Sequence, residues 1–208
     1  MLHVGGGAKI YPSDGCGSIL KIDDFAHVTL LTGASEIGQG SETVLAQLVC
    51  EELGLPMEAV TVVNNDTDIT PWDVGVHASR TTFIGGNSAI GAARKARTKL
   101  LAAAARVSGL AEGEIELRGG HIVKADSGEV VMSLAKLMRS LRKLLDAGAA
   151  ELRVASFSTI TMRSVAARAG VSPASAYTYF PSKNALVATL YLETLKTVAP
   201  QSFSTDNP

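Results

Sequence analysis

Apolar positions alternate loosely between Ser18 and Thr32. Ile19, Leu20 and Ile22 precede Asp23-Asp24 and Val28, Leu30 and Leu31 follow it, which predicts two strands joined by a hairpin turn. The period then lengthens: Val44, Leu45, Leu48, Val49 and Leu53 recur at helical spacing behind Ser41, a candidate cap, and Gly54 and Pro56 stop that helix. Val60 to Val63 reads as a further strand, and Asn87 as the cap of a long helix through Ile90, Ala93, Leu100, Leu101 and Ala104 that ends near Gly109. Glu114 to Arg118 and His121 to Lys124 flank Gly119-Gly120, a two-residue hairpin signal because both central positions need positive φ. From Ser133 onward the pattern is purely helical, with Leu134, Leu137, Leu141, Leu144, Leu145 and Leu152 on one stripe. The expectation is an α+β N-terminal domain over residues 1–138, with a mixed sheet and helices, and an all-α C-terminal domain over residues 139–199. The polar tail, 200–208, is expected to be disordered.

With 208 residues, 46% of them hydrophobic, the chain has enough apolar side chains for a packed core. Arg94, Lys95, Arg97 and Lys99 interrupt the longest Ala-rich stretch, so no membrane span is expected. The opening Met1-Leu2-His3-Val4-Gly5 lacks a basic flank and an apolar core, so the chain is expected to be cytoplasmic. Cys16 and Cys50 are far apart and are read as reduced thiols. His3, His27, His77 and His121 lack metal-ligand spacing, and no protein-built metal site is expected. The net charge of −1 conceals an asymmetry: residues 1–138 hold 11 Lys plus Arg against 16 Asp plus Glu, and residues 139–208 hold 8 against 4. The C-terminal part is therefore basic, as a phosphate-contacting surface requires.

That basic part contains two short helical stretches with explicit punctuation. Thr161 is placed to cap a helix over Met162 to Ala169, Gly170 to stop it in the left-handed conformation, and Ser172 to cap a second helix with Pro173 at its first position. Ala169-Gly170-Val171-Ser172 followed by Tyr177-Thr178-Tyr179-Phe180-Pro181-Ser182-Lys183 resembles the helix-turn-helix of the tetracycline-repressor (TetR) family over roughly residues 140–195. The resemblance implies binding of double-stranded operator DNA, with Thr161, Arg163, Ser172, Ser175, Tyr177, Thr178, Tyr179 and Lys183 as contact candidates. Ser156 departs from the Gly usual in that family, and the family's ligand-binding and dimerisation domain has no counterpart. Weak binding is expected unless another surface makes a homodimer.

The N-terminal part carries a different string. Gly38-Gln39-Gly40 lies between a predicted strand and a predicted helix, where a backbone can approach a ligand and a helix N-terminus favours an anion or oxo group. By themselves these three residues fit an unliganded tight turn better. Taken with Glu51-Glu52-Leu53-Gly54-Leu55-Pro56, Asp66-Thr67-Asp68 and Ser79-Arg80-Thr81-Thr82-Phe83, the string resembles the xanthine dehydrogenase and aldehyde oxidase family, closest to the 4-hydroxybenzoyl-CoA reductase type of large subunit. The resemblance implies a fragment of a molybdopterin-binding domain, with Gly38, Gln39, Gly40, Ser79, Arg80 and Thr81 as cofactor-binding candidates and other molybdoenzyme subunits as partners. Asp66 and Asp68 are read as loop residues. No equivalent of the family's catalytic glutamate is found, so neither a bound molybdenum cofactor nor oxidoreductase activity is expected of this chain alone.

Three readings follow. The first is a DNA-binding, regulator-like protein whose N-terminal part is a passenger or dimerising surface. The second is a partial large subunit of a molybdenum hydroxylase or reductase. The third is a non-functional gene fusion.

Overall fold

A computed structural model describes residues 15–198. They divide into two compact units, one ending at Met138 and the other beginning at Arg139.

The first unit holds two three-stranded sheets where a single mixed sheet was expected. In the first, β1 (Ser18–Ile22) pairs antiparallel with β2 (Val28–Thr32), and β2 pairs parallel with β3 (Val60–Val63). Asp23 makes the β1–β2 turn, its carboxylate accepting from the N–H of Phe25 at 2.9 Å and of His27 at 2.8 Å. The parallel β2–β3 pair needs a crossover, which α1 (Ser41–Leu53) supplies. Val28, Leu30, Leu31, Leu45, Val49 and Leu53 are buried together with the inner face of α2 (Gly86–Ser108), where Ala89, Ala93, Leu100 and Ala104 point inward. Small residues on α2 let its backbone lie close to α1, and Arg94 of α2 reaches Glu52 of α1 at 2.8 Å.

The second sheet joins β4 (Ile115–Arg118), β5 (His121–Lys124) and β6 (Val130–Ser133), all antiparallel. Gly119 and Gly120 take φ of 56° and 77°, as the hairpin requires. β6 is not apparent in the sequence, because it is four residues long and lacks a buried alternate face. Gly54, with φ of 59°, ends α1 directly on β4: a Cβ there would meet the Leu117 carbonyl oxygen at 2.3 Å.

The unit boundary falls within α3 (Leu134–Val154). The described residues of the second unit are otherwise in α4 (Met162–Ala169), α5 (Pro173–Tyr179), α6 (Lys183–Val198) and their turns. Leu144, Ile160, Met162, Val165, Ala166, Ala176, Phe180 and Leu186 form its core. Gly148 of α3 lets Leu186 approach, since a Cβ would lie 3.0 Å from its side chain. The expected tail, 200–208, and His3 lie outside the described residues. Among the described residues no helix is long and apolar enough to cross a membrane.

Candidate functional site

The loop between β2 and α1 carries the Gly38-Gln39-Gly40 tip. Both glycines are exposed and left-handed, with φ of 94° and 76°, and a Cβ on either would meet nothing within 4 Å. The expectation that Ser41 caps α1 is corrected: Gly40 is the N-cap residue and makes no side-chain cap bond. Ser41 instead donates its hydroxyl to Glu36 Oε2 at 3.0 Å.

Glu36 is the centre of the loop. Its Oε1 accepts from the N–H of Gly38 at 2.7 Å and of Gly40 at 3.0 Å, and its Oε2 from the N–H of Glu42 at 3.1 Å. These donors form a backbone nest ahead of a helix, the arrangement that attracts an anion, and here the anion is the chain's own carboxylate. The N–H groups of Glu42 and Gly40, helped by the Ser41 hydroxyl and the Gly38 N–H, pull the Glu36 carboxyl down to about 2. The anticipated free anion position at this helix start is thus filled from within. Gln39 lies across the tip, accepting from the Ile37 N–H at 2.6 Å and donating to the Ser35 carbonyl at 2.9 Å and the Ser41 hydroxyl at 3.3 Å.

The second candidate segment runs from Pro71 to Gly86, and its base abuts the first. A Cβ on Gly33 would meet the Pro71 carbonyl oxygen at 2.4 Å, and one on Gly85 would lie 3.0 Å from Ala34. Arg80, exposed by only 2%, donates to both oxygens of Asp73 at 2.7 and 2.8 Å, to the Gly75 carbonyl at 2.9 Å and to the Gly15 carbonyl at 2.8 Å. Its guanidinium is committed to holding this segment together. Ser79, at φ of 58°, is exposed beside it, and Thr81 is buried at the start of a π-helical turn, Thr81–Gly85. That turn feeds straight into α2, so Asn87 is not the cap: its amide donates back to the Phe83 carbonyl at 2.6 Å. Burial pushes the thiols of Cys16 and Cys50 up, so neither is activated as a nucleophile.

Sequence reasoning missed Glu36 and Asp73. The first had a signal, an acidic residue shortly before a glycine-led helix start, akin to a reciprocal cap. The second, in an irregular segment, had none.

In the second unit Thr161 caps α4, accepting from the Ser164 N–H at 3.0 Å, and Ser172 caps α5, accepting from the Ser175 N–H at 3.0 Å. Gly170 ends α4 at φ of 68°. Arg163, Ser175 and Tyr177 are exposed, whereas Tyr179 packs on the core. Thr178 donates to the Ala174 carbonyl at 2.9 Å. Lys183, one of the DNA-contact candidates, donates to the Phe157 carbonyl at 2.9 Å and stands 4.5 Å from that ring's centre. Arg168 meets Glu151 at 2.5 Å and holds that carboxyl below the usual range.

The first unit thus has the mixed α+β make-up of a piece of a molybdenum-enzyme domain, with a glycine-framed polar loop at its rim. Quinoline 2-oxidoreductase from Pseudomonas putida superposes with a TM-score of 0.56 at 29% identity, over 60% of this chain and 16% of that one. The molybdopterin cofactor-binding domain family matches residues 3–192, and the chain belongs to that family. The xanthine dehydrogenase molybdenum-binding subunit of Escherichia coli O157:H7 is 36% identical over 123 residues, covering 58% of this chain and 16% of that subunit. An uncharacterized HTH-type transcriptional regulator of Mycobacterium bovis is 47% identical over 70 residues, 34% of this chain and 33% of the regulator. The chain therefore spans about a sixth of the molybdenum-enzyme relative. The family match crosses the boundary between the units, which corrects the priority given above to DNA binding: the molybdenum-enzyme reading accounts for more of the chain.

The described residues fit a molybdopterin as one wall. The unobstructed Gly38 and Gly40 backbone admits close approach, and Gln39 and Ser79 are exposed polar groups. Arg80 is sealed against Asp73, so within this wall its guanidinium is directed inward.

Proposed function

We propose that this chain is the cofactor-cradling segment of a xanthine dehydrogenase-type large subunit and works with further subunits or segments of such an enzyme. The observation that carries the reading is the left-handed Gly38-Gln39-Gly40 tip, open on its outer side, in a member of the molybdopterin-binding family. Gln39 and the backbone of Gly38 and Gly40 would face the pterin, with Ser79 adding a hydroxyl; Arg80 and Thr81 support the segment that bears Ser79. When bound, the molybdenum cofactor supplies the redox chemistry, and the chain's own groups bind and orient it. The chain alone offers one wall, too little to preorganise catalysis. The test is molybdenum and pterin content of the chain produced in a cofactor-making host, with and without the separately produced remainder of a related large subunit. Cofactor retained with the remainder and lost in Gln39→Ala is expected; none in either preparation refutes the reading.

A second reading is supported by the capped α4–α5 pair and by the 47% identity to the regulator. In it, Arg163, Ser175 and Tyr177 meet double-stranded DNA, Thr161 and Ser172 set the two helices, and a homodimer supplies affinity. Fluorescence anisotropy on mixed duplex DNA across a salt series tests it. A steep salt dependence that flattens in Arg163→Ala is expected, and no binding at low salt refutes it.

A further inference from the structure

Glu36 stands outside the candidate contact set, yet all four polar bonds of its carboxylate go to the segment that bears that set. We propose that Glu36 is the positioning residue of the cofactor loop: by gathering the N–H groups of Gly38, Gly40 and Glu42 and the Ser41 hydroxyl on one carboxylate, it fixes the tip and thereby the orientation of Gln39. This rests on the reading of the loop as a cofactor wall.

Gly38 and Gly40 are the least restrained residue type, and nothing packs within 4 Å of where their side chains would be, so contacts do not hold the tip. Gln39 is exposed too, and its bonds are to the loop itself, to Ile37, Ser35 and Ser41. The ordering must come from an anchored group that several parts of the loop share. Glu36 is that group: each oxygen takes two bonds, and together they tie three backbone positions and a side chain to one point. Bonds to a carboxylate are about twice as strong as neutral ones. A neutral amide of the same size offers one accepting oxygen, and its NH2 would face backbone N–H donors, so Glu36→Gln should release the tip without disturbing the buried sheet and helices.

The experiment is NMR of the 208-residue chain, following backbone amide exchange at Gly38, Gly40 and Glu42 and the side-chain NH2 pair of Gln39, in wild type and Glu36→Gln. In wild type the three amides are expected to be protected despite lying at the surface. Fast exchange there overturns the proposal without any variant. In Glu36→Gln, exchange is expected to speed by at least about tenfold at these positions. The Gln39 NH2 signals should collapse toward those of a free side chain, with Leu117 and Ile122 amides unchanged. Unchanged Gln39 signals overturn the proposal, since Glu36 would then be structural only. Molybdenum content measured in parallel separates the two claims: a wild-type chain that never retains cofactor defeats the functional reading, whereas the exchange and Gln39 signals decide the role of Glu36 either way.

Discussion

The Gly38–Gly40 loop and the α4–α5 turn use one vocabulary, a left-handed glycine beside the start of a helix, and settle their polar groups in opposite ways. In the first, a carboxylate from five residues upstream of Ser41 fills the helix start and Arg80 nearby is sealed by Asp73. In the second, the Thr161 and Ser172 hydroxyls satisfy single N–H groups and leave Arg163 and Tyr177 outward and exposed. The difference is between a region that uses charge inwardly to hold irregular backbone and one that uses neutral caps to hold regular backbone. A loop needs the stronger bonds because it has no ladder of its own.

That contrast can be broken most severely at Asp73. Asp73→Ala leaves the Arg80 guanidinium buried without its carboxylate and is expected to cost about 3–5 kcal/mol in chemical denaturation. The ordered segment around Ser79 should be lost first. Gly54→Ala, which forces a left-handed alanine against the Leu117 carbonyl, is expected to cost about 1–3 kcal/mol in the same assay. Thr161→Ala and Ser172→Ala should each cost about 1 kcal/mol in thermal unfolding of the helical unit, the scale of a lost neutral cap. The gentlest probe is acid. The Glu36 carboxyl is depressed in the folded chain to about 2, so its contribution is fully present above its ordinary range and fades as pH falls through that range toward about 2. Amide protection at Gly38 and Gly40 should therefore persist at pH 5 and weaken progressively as pH falls below the ordinary carboxylate range toward about 2. An early loss near pH 5 would show that a group other than Glu36 holds the tip.

How much of this is legible in the sequence depends on whether the determinant is periodic. The β1–β2 hairpin, the α1 stop at Gly54, the Gly119-Gly120 turn and the caps at Thr161 and Ser172 are all readable, because each depends on residues within a turn of one another. β6 and the π-helical turn are not, since their form is set by what they pack on. In the candidate site, the Gly38-Gln39-Gly40 tip is apparent from its residues, but the inward use of Arg80 is not. Its partner Asp73 sits seven positions away in a stretch without repeat, and its other acceptor, Gly15, lies 65 positions away. The same distance hides the engagement of Lys183 by Phe157, across 26 positions.

The reach of Arg80 to Gly15 also has a topological meaning. It closes a loop of 65 residues that contains β1, β2, α1 and β3, so the segment leading into the first sheet and the segment leading out of it are tied by one side chain. The entropy of closing a chain grows only slowly with its length, by about 0.6 kcal/mol per doubling. Extra residues inserted at the surface turn Met57–Ala59 should thus be tolerated, while a change at the clasp itself is felt by the whole enclosed stretch. The clasp gives this part of the chain freedom to vary in length while its two ends stay fixed.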